Sequence, residues 1–499
     1  MNWKGRLFMP ENNTRVRFAP SPTGYLHIGG ARTALYNYLF ARHNNGKLIL
    51  RIEDTDTERL MEDSIEQILS SMRWLGLTWD EGPEAGGEYA PYFQSQRQEL
   101  YRAEAERLVK EGLAYYCFCT GQQLEQDREE QRAAGQELRY NRRCRDLDPI
   151  ESIKKVHAGE KAVIRLKTPV EGEIIIHDLI RGEVSFTFSQ LDDIIILKTN
   201  GLPAYNFACV VDDNAMKMTH IIRAEEHLSN TPRQAFLYTA LGYPMPEFAH
   251  LSMILAPDRS KLSKRHGATS VEEYRQMGIL GEALLNYLTL LGWSPEGEKE
   301  IFTLEEAVEE FALRRVSKTA AVYDVQKLKW MNQQYMMALP LEKVAKEAAP
   351  FFVQAGLFEQ LPADQAQAHF FKIVDMLRPR VHTLVEMAEA AGYFYHPIKE
   401  YEEKGVNKSF VKPNAIEILG LCREAIAGAE PFDHDTLEAA FRSAAEKAGV
   451  KAGELIHPTR LAISGQTSGP GLFELIATLG QENCLKRIDA AIVYIKENF

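Results

Sequence analysis

Pro20-Ser21-Pro22-Thr23-Gly24-Tyr25-Leu26-His27-Ile28-Gly29-Gly30 is the stretch from which the rest of the chain can be read. Residues 14–18 before it have the pattern of a short strand. After it, Ala31, Ala34, Leu35, Tyr38 and Leu39 recur at the spacing of a helix face. The turn between them ends at a helix N-terminus, whose unpaired N–H groups suit a phosphate, and its glycines let backbone approach a ligand closely. His27 stands where its ring can donate to a phosphate oxygen; the plainer alternative is a helix-capping turn with a solvent-facing histidine.

Outward from this turn, residues 47–52 read as a buried strand ending in Glu53-Asp54-Thr55-Asp56. Ile65, Ile68, Leu69, Met72 and Leu75 mark another amphipathic helix. Strand, helix, strand, helix predicts a βαβ unit in a parallel sheet. Four short β runs follow, at 162–168, 173–177, 183–188 and 193–198, which read as an antiparallel insertion. The α/β rhythm resumes with a strand at 220–222, a helix opening at Thr231-Pro232, a strand at 250–255 and a capping box at Ser270-Val271-Glu272-Glu273. From about residue 280 the periodicity is helical, as at 282–291, 304–311, 341–352, 370–377 and 485–495. The expected fold is α/β with a β-rich insertion, followed by an all-α C-terminal half.

The chain has 499 residues, 45% hydrophobic and 26% charged, which excludes disordered, collagen-like and coiled-coil classes. A net charge of −12 argues against a uniformly phosphate-binding surface but leaves room for a local basic groove. Six cysteines in so long a chain are no disulfide framework, which points to a reducing compartment. No apolar run is long enough for a membrane span, and residues 1–10 lack a signal-peptide pattern. A soluble cytoplasmic protein without membrane partners is expected.

A second motif, Lys261-Leu262-Ser263-Lys264-Arg265-His266-Gly267 with Arg259 beside it, lies between a strand and a capped helix. Such a loop can close on a polyphosphate and neutralise developing charge; alone, it reads more readily as a solvated basic loop. Taken together, the two motifs resemble the paired HIGH and KMSKS signatures of class I aminoacyl-tRNA synthetases. Gly30 in the fourth position of the first is the form of the glutamyl branch. Arg17-Phe-Ala-Pro-Ser-Pro-Thr-Gly24, Arg51-Ile-Glu-Asp-Thr-Asp56, Ile222-Arg-Ala-Glu-Glu-His227 and Ala283-Leu-Leu-Asn-Tyr-Leu288 are similar to bacterial glutamyl-tRNA synthetases. The likeness runs to Thr467-Ser-Gly-Pro-Gly-Leu-Phe-Glu474 near the C-terminus. The helical C-terminal half differs from the β-barrels of the glutaminyl branch, and the chain is too long for the short glutamyl-queuosine enzymes.

The resemblance implies a Rossmann-type catalytic domain (1–110 and 212–280), an acceptor-stem-binding insertion (111–211), a helical connective region (281–330) and an anticodon-binding domain (331–499). It implies ATP, with Mg2+, held by Pro20, Ser21, Thr23, Gly24, His27, Gly29, Gly30, Lys261, Ser263, Lys264 and Arg265, with His27 and Lys264 catalytic. L-Glutamate is expected at Arg17, Ser21, Glu53, Tyr205 and Arg223. The chemistry agrees, because arginine forks are the strong carboxylate contact. Without the resemblance, Arg17 and Arg223 read as sheet-edge ion pairs with Glu53 or Asp54. Position 209, Asn in some relatives, is Cys here and is given no role. The implied partner is tRNA(Glu), with tRNA(Gln) a further candidate, and the chain is expected to act as a monomer. Outside this family, a small-molecule nucleotidylyltransferase or a non-catalytic tRNA-binding protein are the competing readings.

Cys117-Phe-Cys119 and Cys144-Arg-Asp146 align with a family zinc site, with Asp146 or His157 as the fourth ligand; the alternative is three free thiols. Arg139, Arg142 and Arg143 form a basic run that either touches tRNA phosphates or pairs with residues 125–130. Arg378 and Arg380, in the half that reads the anticodon in the family, are candidates to contact unpaired bases.

Overall fold

Strand β1 (Arg15–Phe18) is buried along its whole length, and α1 (Ile28–His43) follows the proline-glycine turn. β2 (Lys47–Leu50) then returns parallel to β1, from Arg15 opposite Lys47 to Phe18 opposite Leu50. The computed structural model describes residues 14–55, 63–359 and 365–499, and only the backbone of Gln190, Lys264 and Gln365. Asp56, residues 1–10 and the Lys264 side chain therefore lie outside the described residues.

The chain divides into two compact units, one reaching to Tyr274 and including Leu284–Asp324, the other comprising Arg275–Ala283 and Val325–Phe499. In the first, α2 (Ser64–Trp74) and α3 (Gln98–Lys110) precede the insertion. The insertion contains β3 (Ala114–Cys117), α4 (Gly121–Ala133), α5 (Pro149–His157), β4 (Val163–Leu166), β5 (Glu173–Asp178), β6 (Gly182–Thr187) and β7 (Ile195–Leu197). Then come α6 (Tyr205–Ala215), β8 (His220–Ala224), α7 (Thr231–Leu241), β9 (Glu247–Leu251) and β10 (Ile254–Leu255). β8 and β9 are parallel, with Arg223 opposite His250. Thr219 N donates to Arg15 O at 2.9 Å, so the chain leading into β8 flanks β1 on the side away from β2. A strand with parallel neighbours reached in opposite directions leaves a crevice at its carboxyl end, where open α/β sheets bind ligands.

The insertion is not one antiparallel sheet. β3, β4 and β7 form one, but the β5–β6 hairpin joins the edge of the β8–β9 pair through Asp178 opposite Phe248. Alternation shows that a strand has one buried face, not which sheet edge it meets. The insertion also holds two helices that the sequence reading left unassigned. Only Asp127 is buried in α4, so that helix carries no apolar stripe to detect. Tyr101 and Leu108 of α3, Leu166 of β4, Phe207 and Val211 of α6 and Leu237 of α7 share one core with Ile49, all fully buried.

The second unit is helical, its longest helix being Gln481–Asn498. Leu419, Cys422, Phe441, Leu461, Leu475, Cys484 and Ile488 share one core within it, where the two cysteines serve as small apolar side chains.

Candidate active site

A cavity of about 480 Å³ opens over the carboxyl ends of β1 and β8. It is lined by Arg17, Ser21, Glu53, Tyr205 and Arg223, the expected amino-acid ligands, and by Pro20, Thr23, Gly24, His27, Gly29, Gly30 and Lys261 of the expected nucleotide ligands. Ser263 and Arg265 do not line it.

His27 is the N-cap of α1, and its Nδ1 accepts from Gly29 N at 3.2 Å. Burial and nearby Lys261 hold its pKa below the usual histidine value. A neutral ring accepting at Nδ1 carries its proton on Nε2, so His27 caps the helix with one nitrogen and keeps an N–H donor on the other. The two sequence readings of this residue therefore hold together. A Cβ at Gly30 would meet Leu26 Cδ1 at 3.1 Å, which favours glycine in the fourth position.

The basic loop is folded on itself. Ser263 N and Oγ lie 3.2 and 3.1 Å from His266 Nδ1, Arg265 Nε donates to His266 Nε2, and Arg265 Nη2 donates to Ser260 Oγ. Lys261 reaches the cavity and pairs with Glu226 at 3.0 Å; both are more than half exposed, so the pair contributes little and is easily exchanged for a ligand.

Beneath the cavity lies a buried charge layer. Arg17 Nε and Nη2 donate to Asp213 at 3.1 and 3.3 Å, and Arg51 Nη1 donates to the same carboxylate at 2.6 Å. Arg51 also reaches Glu53, while Asp212 accepts from Arg97 at 2.6 Å. Burial opposes charge on Arg17, but Asp213 outweighs it and the pKa stands above the ordinary value. Burial pushes Glu53 up, and Arg51 and Arg17 pull it back. Cys209, one turn from Tyr205 on α6, donates its thiol to Glu53 at 3.2 Å. The ion pairs imagined for the arginines are thus differently made: Arg17 takes Asp213, and Asp54 is occupied by Ser95 N and Oγ.

Arg223 differs from Arg17. It is buried, and its partners are Gln234 Oε1 at 2.7 Å, Thr231 Oγ1 at 2.9 Å and His250 Nε2 at 3.2 Å. It has no carboxylate partner among the described residues. Arg17, Arg51 and Arg97 are set against Asp212, Asp213 and Glu53, whereas Arg223 stands outside that network and meets a carboxylate, Asp178, only through the His250 ring. His227, which lines the cavity and lies 3.2 Å from Tyr205 Oη through Nδ1, adds no positive charge: burial, then Arg223, hold its pKa down to about 4. The sequence reading missed Asp213, His227 and the Cys209 contact. Only His227 carried a signal, as the last residue of a quoted motif.

The Cys117, Cys119 and Cys144 sulfurs lie within 4.8 Å of one another. Asp146 is not among them, and His157 closes α5 without joining the group. The oxygen beside the sulfurs is the Tyr140 hydroxyl, 3.3 Å from Cys117 Sγ and 3.8 Å from Cys119 Sγ. The basic run is engaged internally: Arg143 pairs with Asp127 at 2.6 Å, Arg142 with Asp193, and Arg139 with Glu137. Arg378 pairs with Asp375 and donates to Met336 and Leu339 carbonyls. Arg380 is exposed and, like Arg460 and Arg487, has no ion-pair partner among the described residues; all three act on the buried Tyr393 hydroxyl.

Residues 13–330 match the family described as tRNA synthetases class I (E and Q), catalytic domain, and residues 343–492 match an anticodon binding domain. The chain is 54% identical to the glutamate–tRNA ligase of Moorella thermoacetica over 98% of its length and 99% of the relative's. It is also 54% identical to that of Desulforudis audaxviator, covering 98% of each. A crystal structure of a glutamate tRNA ligase from Elizabethkingia meningosepticum in complex with its amino acid superposes with a TM-score of 0.88 at 37% identity, covering 97% of this chain and 99% of that one. The chain therefore belongs to the class I tRNA synthetases, and within their E and Q group to the glutamate–tRNA ligase family.

Proposed function

We propose that this chain activates L-glutamate with ATP and transfers it to the 3′ end of tRNA(Glu), with its carboxylate-binding end at Arg223. The observation that carries this is the Arg223 guanidinium, which has no direct carboxylate partner among the described residues and lines the same cavity as the His27 turn. A second carboxylate on the substrate supplies that partner. Glu53, raised by burial, receives the substrate ammonium, Arg17 and Ser21 flank it, and Tyr205 covers it. A glutamate carboxylate oxygen attacks the α-phosphorus of ATP and pyrophosphate leaves. A ribose hydroxyl of the tRNA terminus then attacks the acyl carbon and AMP leaves. No protein nucleophile is needed, and the site works by positioning and electrostatics. His27 Nε2–H and Lys261 face the phosphates, Pro20, Thr23, Gly24, Gly29 and Gly30 shape their approach, and closure of the loop brings Ser263, Lys264 and Arg265. Magnesium accompanies ATP as part of the substrate.

Three thiols and a phenol oxygen within reach of one point fit a closed zinc site, which would tie β3 to the 140–144 loop. We take Tyr140, in place of Asp146, as the fourth donor. Residues 1–110 with 212–280, 111–211, 281–330 and 331–499 are carried as functional divisions, and Arg380 with Arg460 as the base-contacting pair. Arg139, Arg142 and Arg143 would reach phosphates only by exchanging their present partners. No helix among the described residues is long and apolar enough to cross a membrane. A cytoplasmic monomer is the state in which we expect it to act.

The test is aminoacylation of purified tRNA(Glu) and tRNA(Gln) with radiolabelled glutamate and glutamine. Glutamate on tRNA(Glu) is expected; glutamine attached, or no charging of either, would overturn the reading. Charging of tRNA(Gln) with glutamate would widen its tRNA range.

A further inference from the structure

We propose that Asp178 and His250 are positioning residues for Arg223, holding its guanidinium so that one N–H of each terminal nitrogen faces the cavity as a fork for a carboxylate. This rests on the reading of Arg223 as the glutamate side-chain ligand.

A guanidinium has five N–H groups. At Arg223, Nε–H goes to His250 Nε2, one Nη1–H to Gln234 Oε1 and one Nη2–H to Thr231 Oγ1. The remaining two, one on each terminal nitrogen, have no acceptor among the described residues. Every acceptor is neutral, so the arginine is oriented without being neutralised. Had any been a carboxylate, the incoming substrate would compete with a resident charge.

The orientation depends on a tautomer. His250 accepts at Nε2 only if its proton is on Nδ1, and Nδ1 lies 2.6 Å from Asp178 Oδ2. Both side chains are fully buried. Burial holds the His250 pKa below the ordinary value, with Asp178 acting against it, so the ring stays a neutral acceptor. Asp178 is itself fixed: its Oδ1 accepts from Ile180 N at 3.0 Å, Arg181 N at 2.8 Å and His250 N at 3.3 Å. Those three donors decide which oxygen faces the ring. The elements that deliver the set are β5, β8 and β9: Arg223 is opposite His250 in register, and Asp178 is opposite Phe248, whose ring stacks on His250 at 12°.

This arrangement makes Asp178→Asn a sharp probe. The backbone donors keep the amide oxygen at the Oδ1 position, so the amide NH2 turns to His250 Nδ1. The ring proton must then move to Nε2, where it turns to Thr231 Oγ1, 3.0 Å away, and takes away the acceptor that Arg223 Nε–H uses. The glutamate KM should rise roughly tenfold or more, with kcat and the ATP KM within about threefold of wild type, measured with tRNA present. Nitrogen NMR of 15N-histidine-labelled protein should show His250 moving from the Nδ1–H to the Nε2–H form. His250→Gln, which keeps an acceptor, should retain more glutamate affinity than His250→Leu, which removes it; this pair carries the test if Asp178→Asn does not fold. Arg223→Gln is measured in parallel. If it raises the glutamate KM while Asp178→Asn leaves it unchanged, the positioning role is overturned and the ligand reading stands. Equal losses for glutamate and ATP, or equal glutamate affinity in the Gln and Leu variants, also overturn it. An unchanged KM in Arg223→Gln overturns both.

Discussion

His27 caps α1 through Nδ1, and the phosphate role proposed for its Nε2–H can be separated from that contact. Asparagine is a strong N-cap and keeps an acceptor for Gly29 N, but it offers no donor where Nε2 stands. His27→Asn should therefore leave the thermal midpoint near wild type, while His27→Ala loses about 1 kcal/mol of stability. Both should slow single-turnover adenylate formation on the order of a hundredfold, the usual cost of losing one donor to developing charge. A His27→Asn enzyme at full rate would remove the phosphate role. Arg223 belongs to the same scale. Glutamine offers its guanidinium an amide in place of a carboxylate, so one charge-assisted bond is lost in a buried site, roughly 2–3 kcal/mol or about a hundredfold. Arg223→Gln should raise the glutamate KM strongly and narrow the glutamate-to-glutamine ratio of kcat/KM. An unchanged ratio would move selection to Arg17.

The insertion is where individual elements have the most at stake. β3 and the 140–144 loop meet at the cysteine cluster, a small core of Tyr115, Cys117 and Cys144 backed by Tyr140. Arg165 stacks on the Tyr140 ring at 3.8 Å, which holds the phenol against the sulfurs. Metal analysis should find about one zinc per chain, bound tetrahedrally with apparent affinity coupled to local folding. Cys119→Ser should release it and increase protease cleavage within 111–211. Full zinc retention in that variant would exclude Cys119 as a ligand, and a metal-free, fully protected wild type would make the cluster a purely apolar core. The cysteine spacing was legible in the sequence; the oxygen that lies beside the sulfurs was not. Asp146 was chosen by its offset from Cys144, but the chain around Cys144 turns so that the residue four before it, Tyr140, comes back to the sulfurs, with its hydroxyl accepting from Cys144 N at 3.3 Å.

For the molecule as a whole, acid stability should fall in two stages. Burial holds His220 and His227 down to about 4, below the 6.5 of an unfolded histidine. Unfolding takes up protons there, so stability is lost as pH falls from about 6.5 to 4. Glu81, bonded to Arg15 at 2.8 and 2.9 Å, to Lys47 and to Tyr92, is held down to about 2, first by Arg15, against 4.5 unfolded. Its contribution, on the order of 2–3 kcal/mol, is complete above pH 4.5 and lost as pH falls towards 2. The thermal midpoint of Glu81→Gln should lie below wild type at neutral pH and converge with it near pH 2. A constant gap down to that pH would show that the carboxylate is not the source.

Sequence alone determined the local order of this protein: the strand–turn–helix at residues 14–43, the proline-started helix at Thr231, the capping box at Ser270 and the helical run after 280. These depend on neighbours three or four residues apart, so periodicity and turn chemistry carry them. The cavity-lining residues His27, Arg17 and Arg223 were also legible, because their motifs are contiguous. Tertiary structure alone decided which charges meet. Asp213 reaches Arg17 across 196 positions, Asp178 reaches His250 across 72, and the β5–β6 hairpin joins the parallel sheet and not its own insertion. No local pattern encodes those pairings, because a buried charge is satisfied by whatever partner the packing of distant elements delivers. The same packing left Arg223 with neutral hydrogen-bond partners only.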